Sequence, residues 1–214
     1  MKLCFISDTH LQHKGLTSYI LSKDIDYLFH CGDMTNFGTV AELESVNTWF
    51  AELKLNTKIK DIICIAGNHD QGLEKYNTLG SKVFTNAVYL ENSGYYLDNG
   101  LYVWGSPITL RFGSWGFQKE KSEIQKYWNM IPENTNILIT HQPCFEILDQ
   151  NYHFDHCGCD LLRDTVFTLQ DLIIHSFGHI HESYGIKEIN NKKFINASSI
   201  NRNGYYNEPI VIEI

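Results

Sequence analysis

The sequence predicts a mixed α/β fold: two mixed β-sheets flanked by helices. Three observations carry this. In the first half, short apolar runs alternate with a segment of helical periodicity. In the second half, strand-like runs follow one another. Polar residues cluster just past the ends of these runs, where α/β sheets form their ligand crevices.

Residues 2–6 form an apolar run suited to a buried strand, and residues 26–31 and 60–66 repeat it. Between the last two, residues 41–54 place Leu43, Val46, Trp49, Phe50 and Leu53 at helical spacing. Residues 82–90, 95–97 and 101–105 read as strands with Asn/Gly turns between them. Residues 119–131 read as a helix that stops before Pro132. A strand follows at 136–140. A helix is then expected at 159–169, with Leu161, Leu162, Val166 and Leu169 on one side, and a strand at 172–177. Residues 184–189, 193–196 and 209–214 close the chain as strands, with Asn190-Asn191 as a hairpin turn.

Composition narrows the class. Hydrophobic residues make up 43% and charged residues 20%, an ordinary globular balance that excludes disorder. No repeat, low-complexity tract or linker interrupts the 214 residues, so one domain over 1–214 is expected. Apolar runs such as Ile62-Ile63-Cys64-Ile65-Ala66 fall far short of the ~20 residues of a membrane helix. The net charge is −8 and no Lys/Arg cluster appears, so neither stable nucleic-acid binding nor membrane association is expected. Only four apolar residues separate Met1-Lys2 from Ser7-Asp8, which fits no secretory signal. Cys4, Cys31 and Cys64 lie in apolar runs and read as small buried hydrophobes, reduced in a cytoplasmic protein.

The polar clusters have a common character. Asp8-Thr9-His10 follows the first run, Gly32-Asp33 the second and Gly67-Asn68-His69-Asp70 the third. His141 follows residues 136–140, and Gly178-His179-Ile180-His181 follows residues 172–177. Asp8 and His10 are two apart, as are His179 and His181, so an extended backbone turns each pair to one side. The glycines before Asp33, Asn68 and His179 permit tight turns. Carboxylate, imidazole and amide oxygen together suit Mn²⁺, Fe or Zn²⁺, while the lack of thiolates argues against a structural zinc site. Metal ions would let an acidic chain act on phosphates.

The ordered set D-x-H, G-D, G-N-H-D, lone H and G-H-x-H resembles the calcineurin-like metallophosphoesterase family over residues 8–181. Trp115-Gly116-Phe117, Gly158-Cys159, Glu182-Ser183-Tyr184-Gly185 and Ile195-Asn196-Ala197-Ser198 are similar to its small metallophosphoesterase-domain subgroup. Some members of that subgroup hydrolyse cyclic nucleotides. The resemblance implies a four-layer sandwich and a hydrolase with two divalent ions, Mn²⁺ first, with Fe, Zn²⁺, Ni²⁺ or Co²⁺ as alternatives. It places Asp8, His10, Asp33 and His181 on one ion and Asp33, Asn68, His141 and His179 on the other, with Asp33 bridging. Water activated between the ions attacks phosphorus, and His69, outside the ligand set, protonates the leaving oxygen. Asn36 stands where many relatives carry an acid that orients this histidine; its amide can still hydrogen-bond an imidazole, and Asp70 is the other candidate. The expected substrate is a small phosphodiester, such as a 2′,3′- or 3′,5′-cyclic nucleotide. The alternatives are a phosphomonoesterase (a nucleotidase or protein phosphatase) and a catalytically weak binding module on the same fold.

Other residues carry weaker signals. Residues 111–117 are aromatic and Gly-rich: a surface loop, or a pocket wall in which Trp115 stacks a flat group and Arg111 pairs a phosphate. Residues 153–159 contain two His and two Cys, too closely spaced for easy tetrahedral zinc binding. They read as a substrate-pocket loop, with His156 touching a phosphate or base. His30 reads as a packed residue beside the Gly32-Asp33 turn, and His13 and His175 as structural. Asn196 with Ser198 either braces the metal loops or forms a plain turn.

Overall fold

Side chains alternate along the first strand, β1 (Lys2–Ile6), and the alternation divides the interior. Leu3 and Phe5 enter one buried layer, Cys4 and Ile6 another. The computed structural model, which describes residues 1–76 and 79–214, repeats this division along the central strands.

After β1 come a 3₁₀ turn (His13–Leu16), α1 (Thr17–Leu21), β2 (Tyr27–Cys31), α2 (Val40–Asn56) and β3 (Asp61–Ile65). Next are α3 (Gln71–Lys75), α4 (Leu79–Val83), β4 (Val88–Tyr89), β5 (Ser93–Tyr96) and β6 (Tyr102–Ser106). The chain continues with β7 (Thr109–Leu110), β8 (Gln118–Lys119), α5 (Lys121–Trp128), β9 (Ile137–Thr140) and α6 (Asp160–Thr168). It ends with β10 (Ile174–Phe177), a 3₁₀ turn (His181–Ser183), β11 (Gly185–Ile189), β12 (Lys192–Asn196) and β13 (Ile210–Glu213).

Two large mixed sheets result, as the sequence predicts. One has the order β13-β1-β2-β3-β4, parallel except for β13 against β1. The other has the order β11-β12-β10-β9-β6-β5, parallel in its centre with an antiparallel strand at each edge. The sheets face each other through Leu3, Phe5, Phe29, Ile63, Ile139 and Ile174, with Phe5 stacked on Phe29 at 4.9 Å. Helix α2 buries Leu43, Val46, Trp49, Phe50 and Leu53 in the layer that holds Cys4, Leu28 and Ile62. Helices α5 and α6 bury Ile124, Trp128, Leu162 and Val166 with Leu138, Phe177 and Phe194. No helix among the described residues is long and apolar enough to cross a membrane.

Two expected elements are corrected. Residues 82–90 are not one strand: α4 ends at Val83, and only Val88–Tyr89 pair with β3. Helix α2 holds the stretch between. Asn47 accepts from the Asn86 N–H at 3.0 Å and donates to Thr85 Oγ1 at 3.0 Å, and Phe84 packs on Phe50. The helix expected at 119–131 is shorter. Lys119 belongs to β8, Glu120 is extended, and residues 129–131 form a terminal turn. The Asn190-Asn191 turn is as expected, with φ of 51° and 59°, both in the left-handed region that such hairpins need.

All six cysteines are free thiols. Cys4, Cys31 and Cys64 lie on the adjacent strands β1, β2 and β3 with no exposed surface. Burial pushes all three thiols above their ordinary range, that of Cys31 to about 12.

Candidate metal centre

The loops after β1, β2, β3, β9 and β10 converge at one end of the two sheets. Asp8, His10, Asp33 and His179 have φ of 53°, 41°, 51° and 71°, unfavourable for non-glycine residues. Backbone bonds hold them there: Asp8 N–H donates to Gly32 O at 2.9 Å, and His10 N–H to Asp33 O at 3.1 Å. The His179 N–H donates to both Asp8 oxygens, at 3.1 and 3.0 Å, and the His69 N–H to Asp33 Oδ1 at 2.7 Å. A Cβ at Gly67 would collide with Asp33 Oδ1, and one at Gly178 with Asp8 Oδ2. Glycine is therefore what lets each carboxylate approach the neighbouring loop.

The side chains then form a compact cluster around two buried carboxylates. His181 Nε2 lies 3.3 Å from Asp8 Oδ1, His10 Nε2 3.8 Å from Asp33 Oδ2, and His141 Nε2 3.4 Å from Asp33 Oδ2. The opposite nitrogen of each ring is taken by a backbone carbonyl. His141 Nδ1 donates to Cys31 O at 2.9 Å, His181 Nδ1 to Ile200 O at 2.7 Å, and His10 Nδ1 to Thr35 O at 3.3 Å. This arrangement directs Nε2 at the carboxylates, as in metal-ligating histidines. Asp8, His10 and His181 offer donor atoms within 4.8 Å of one another, as do Asp8, Asp33 and His141, and His10, Asp33 and His69. The Asn68 side-chain oxygen is 3.1 Å from His141 Nε2, and the His179 ring is 5.0 Å from that of His141. All seven residues expected around the ions are thus neighbours.

Among the described residues, no lysine or arginine pairs with Asp8 or Asp33. Burial opposes ionisation of both carboxylates, yet His181, His141 and His10 hold that of Asp8 well below the usual range, and His141 lowers that of Asp33. Burial likewise opposes protonation of His141 and His181, but Asp33 and Asp8 outweigh it and raise both to about 9. Burial alone dominates at His179, pushing it down to about 3. Two buried anions without a permanent cation, faced by oriented ring nitrogens and an amide oxygen, fit divalent metal ions.

His69 stands beside this cluster. Its ring is 4.8 Å from His10, edge-on, and 4.2 Å from Trp115. Its Nδ1 donates to the backbone carbonyl of Asn36 at 3.1 Å. The orienting group is therefore main chain, not the amide side chain the sequence suggests. Nor does Asp70 orient His69. It accepts from the Met34, Thr35 and Gly67 N–H groups and from Thr35 Oγ1, tying two loops together. Burial, then Asp33, raise the Asp70 carboxyl to about 6.

A cavity of about 590 Å³ opens from the cluster, lined by Asp33, His69, Phe112, Trp115, His156 and His181 among others. Arg111 also lines it, but its guanidinium is paired with Glu120. The Trp115 ring lies on His69. His156 donates through Nδ1 to buried Asp149 at 2.6 Å. In the same loop Cys159 is the N-cap of α6, accepting from the Leu162 N–H. His30 is packed, with Nε2 2.9 Å from Thr9 Oγ1. Ser198 Oγ donates to Asp8 Oδ2 at 2.9 Å and its N–H to Asn196 Oδ1 at 3.1 Å, so this pair does brace the cluster. The carbonyls of Cys31, Thr35, Asn36 and Ile200 escape sequence reasoning because every residue has one. Asp149 and Gln142 escape it as well, since neither lies in a recognisable motif.

Residues 1–183 match the family described as calcineurin-like phosphoesterase. The chain belongs to that family. As a calcineurin-like phosphoesterase it is a metal-dependent hydrolase of phosphoesters. It is 33% identical over 236 residues to human Metallophosphoesterase domain-containing protein 1, covering 98% of this chain and 69% of that protein. Solved structures share the fold of this chain. TT1561 of Thermus thermophilus superposes with a TM-score of 0.68 at 9% identity, covering 92% of this chain and 88% of that one. A dimetal phosphatase from Danio rerio superposes with a TM-score of 0.59 at 11% identity, covering 92% and 86%.

Proposed function

We propose that this calcineurin-like phosphoesterase hydrolyses a small phosphodiester, a cyclic nucleotide or a similar compound, with two divalent ions, Mn²⁺ foremost. The observation that carries the metal reading is the three imidazoles whose Nδ1 atoms are held by main-chain carbonyls while Nε2 faces Asp8 and Asp33. Asp8, His10, Asp33 and His181 would hold one ion, and Asp33, Asn68, His141 and His179 the other. When bound, the ions supply Lewis acidity toward a phosphate oxygen and a water nucleophile at neutral pH. Ser198 and the His179 N–H orient Asp8, and the His69 N–H orients Asp33. With Nδ1 donating to Asn36 O, the His69 ring keeps Nε2 for the leaving oxygen, and it is the imidazolium form that gives that oxygen its proton. Phe112 and Trp115 give the cavity a flat apolar side that suits an organic group attached to phosphorus. The acidic chain works on small molecules in the cytoplasm, without nucleic acid or membrane as partner.

A metal-reconstituted panel of cyclic nucleotides, mononucleotides and phosphopeptides tests this. Turnover of a cyclic nucleotide that stops with chelator and returns with Mn²⁺ is the expected result. Turnover confined to monoesters would overturn the diester assignment, and metal binding without any turnover would make the chain a binding module.

A further inference from the structure

The cavity is larger than a phosphate needs, so it also accommodates the organic part esterified to phosphorus. Most of its polar side chains are already engaged. Asp33, Asn68, His69, His179 and His181 belong to the cluster described above. The Arg111 guanidinium is paired with Glu120. Gln142 accepts from the Leu110 N–H at 2.8 Å and donates to Cys157 O at 3.0 Å. The Asn151 side-chain oxygen accepts from the His153 and Asp155 N–H groups. His156 differs. Its Nδ1 is fixed on Asp149, while its Nε2 has only a long 3.4 Å contact, to Gln150 Nε2.

Considerable structure is devoted to holding this ring. Asp149 is 1% exposed, and its second oxygen accepts from the Glu146 and Gly158 N–H groups at 3.0 and 2.9 Å. Glu146, Leu148 and Phe154 in the same loop have φ of 65°, 50° and 64°, strain that the Asp149 hub holds in place. A Cβ at Gly158 would collide with the Cys144 carbonyl, so the loop closes tightly behind His156. A buried carboxylate that orients an imidazole into a cavity gives its free nitrogen a fixed direction.

We propose that His156, clamped by Asp149, is a specificity residue that binds the organic part esterified to phosphorus. With Nδ1 donating to Asp149, its Nε2 accepts a hydrogen bond from a hydroxyl or amino group of that organic part, so the enzyme prefers phosphoesters that carry such a group. This rests on reading the cavity as a phosphoesterase site.

The test compares adenosine 2′,3′-cyclic phosphate with diphenyl phosphate, whose phenyl rings carry no such group, on Mn²⁺-loaded enzyme. His156→Ala should raise KM for the nucleoside diester about three- to tenfold, the size of one hydrogen bond, with kcat nearly unchanged. Diphenyl phosphate should respond less than about twofold under this account. His156→Gln, which keeps a donor and an acceptor, should restore part of the loss. Histidine-selective ¹⁵N NMR with adenosine 5′-monophosphate as probe should move the His156 Nε2 signal. Equal losses on both diesters would make His156 merely structural and overturn the proposal. If the wild type hydrolyses neither diester, the diester reading of the site fails separately. The NMR titration then decides, and an unmoved His156 signal on saturation with the nucleotide overturns the proposal.

Discussion

His69 is held at three points: its N–H by Asp33, its Nδ1 by Asn36 O, and its ring by Trp115. A general acid matters in proportion to how badly the leaving group needs a proton. His69→Ala should keep its metals and lose roughly 10²–10⁴-fold on a nucleotide phosphodiester, whose ribose oxygen leaves poorly. On a nitrophenyl diester the loss should be far smaller; equal losses on both would instead assign His69 to charge stabilisation on phosphorus. Asp33 makes a contrasting case. His10 Nε2, His141 Nε2 and the His69 N–H all lie around its carboxylate, so Asp33→Asn should weaken both ions at once. Elemental analysis checks this against Cys157→Ser/Cys159→Ser, in which metal content should be unchanged. Loss of a metal from the double cysteine variant would revive a zinc site at residues 153–159.

Elements differ in how much of themselves the sequence announces. Helix α2 announces most: its apolar spacing is unbroken, and Thr39 and Glu42 form a reciprocal cap, each side chain accepting from the other's N–H, at 3.3 and 2.9 Å. Thr39→Ala should cost about 1 kcal/mol of stability by urea titration and leave turnover unchanged. An unchanged midpoint would show that packing alone holds the start of α2. The strands of both sheet centres were equally legible, because burial on both faces leaves near-continuous apolar runs. Residues 84–86 were not legible, since their conformation is set by Asn47, some forty positions away. The short helices α1 and α3 have five residues each, too few for a period to show. At the site, the side chains that gather were readable from their places after strands. The main-chain carbonyls that aim them, and the Asp149 hub, depend on tertiary geometry that one sequence does not display.

At the scale of the whole molecule, acid should destabilise the fold even without metal. Burial holds His175 down at about 3, and its Nε2 is 2.8 Å from Thr140 Oγ1. A free imidazole titrates near 6.5, so between those values only the unfolded chain takes up the proton. The contribution of His175 is therefore full above about 6.5 and falls as pH drops, by about 1.4 kcal/mol per unit, whereas that of His141 and His181, both raised to about 9, fades only as pH climbs toward that value. Urea titrations of the chelated protein between about pH 5 and 7.5 should show the slope, and His175→Gln should reduce it by that amount. An unaltered slope would mean that His175 is protonated in the fold. The three thiols on β1, β2 and β3 bear on kinetics instead. Each is shielded on both sheet faces and poorly ionised, so an alkylating reagent reaches it only when the strands separate. Cys157, on a surface loop, is the one partly exposed thiol and should label first. At high reagent concentration, the later labelling of Cys4, Cys31 and Cys64 becomes a clock for the opening of the sheet. If the three strands open as one unit, the three rates should coincide; if the sheet frays from one side, they should separate in strand order.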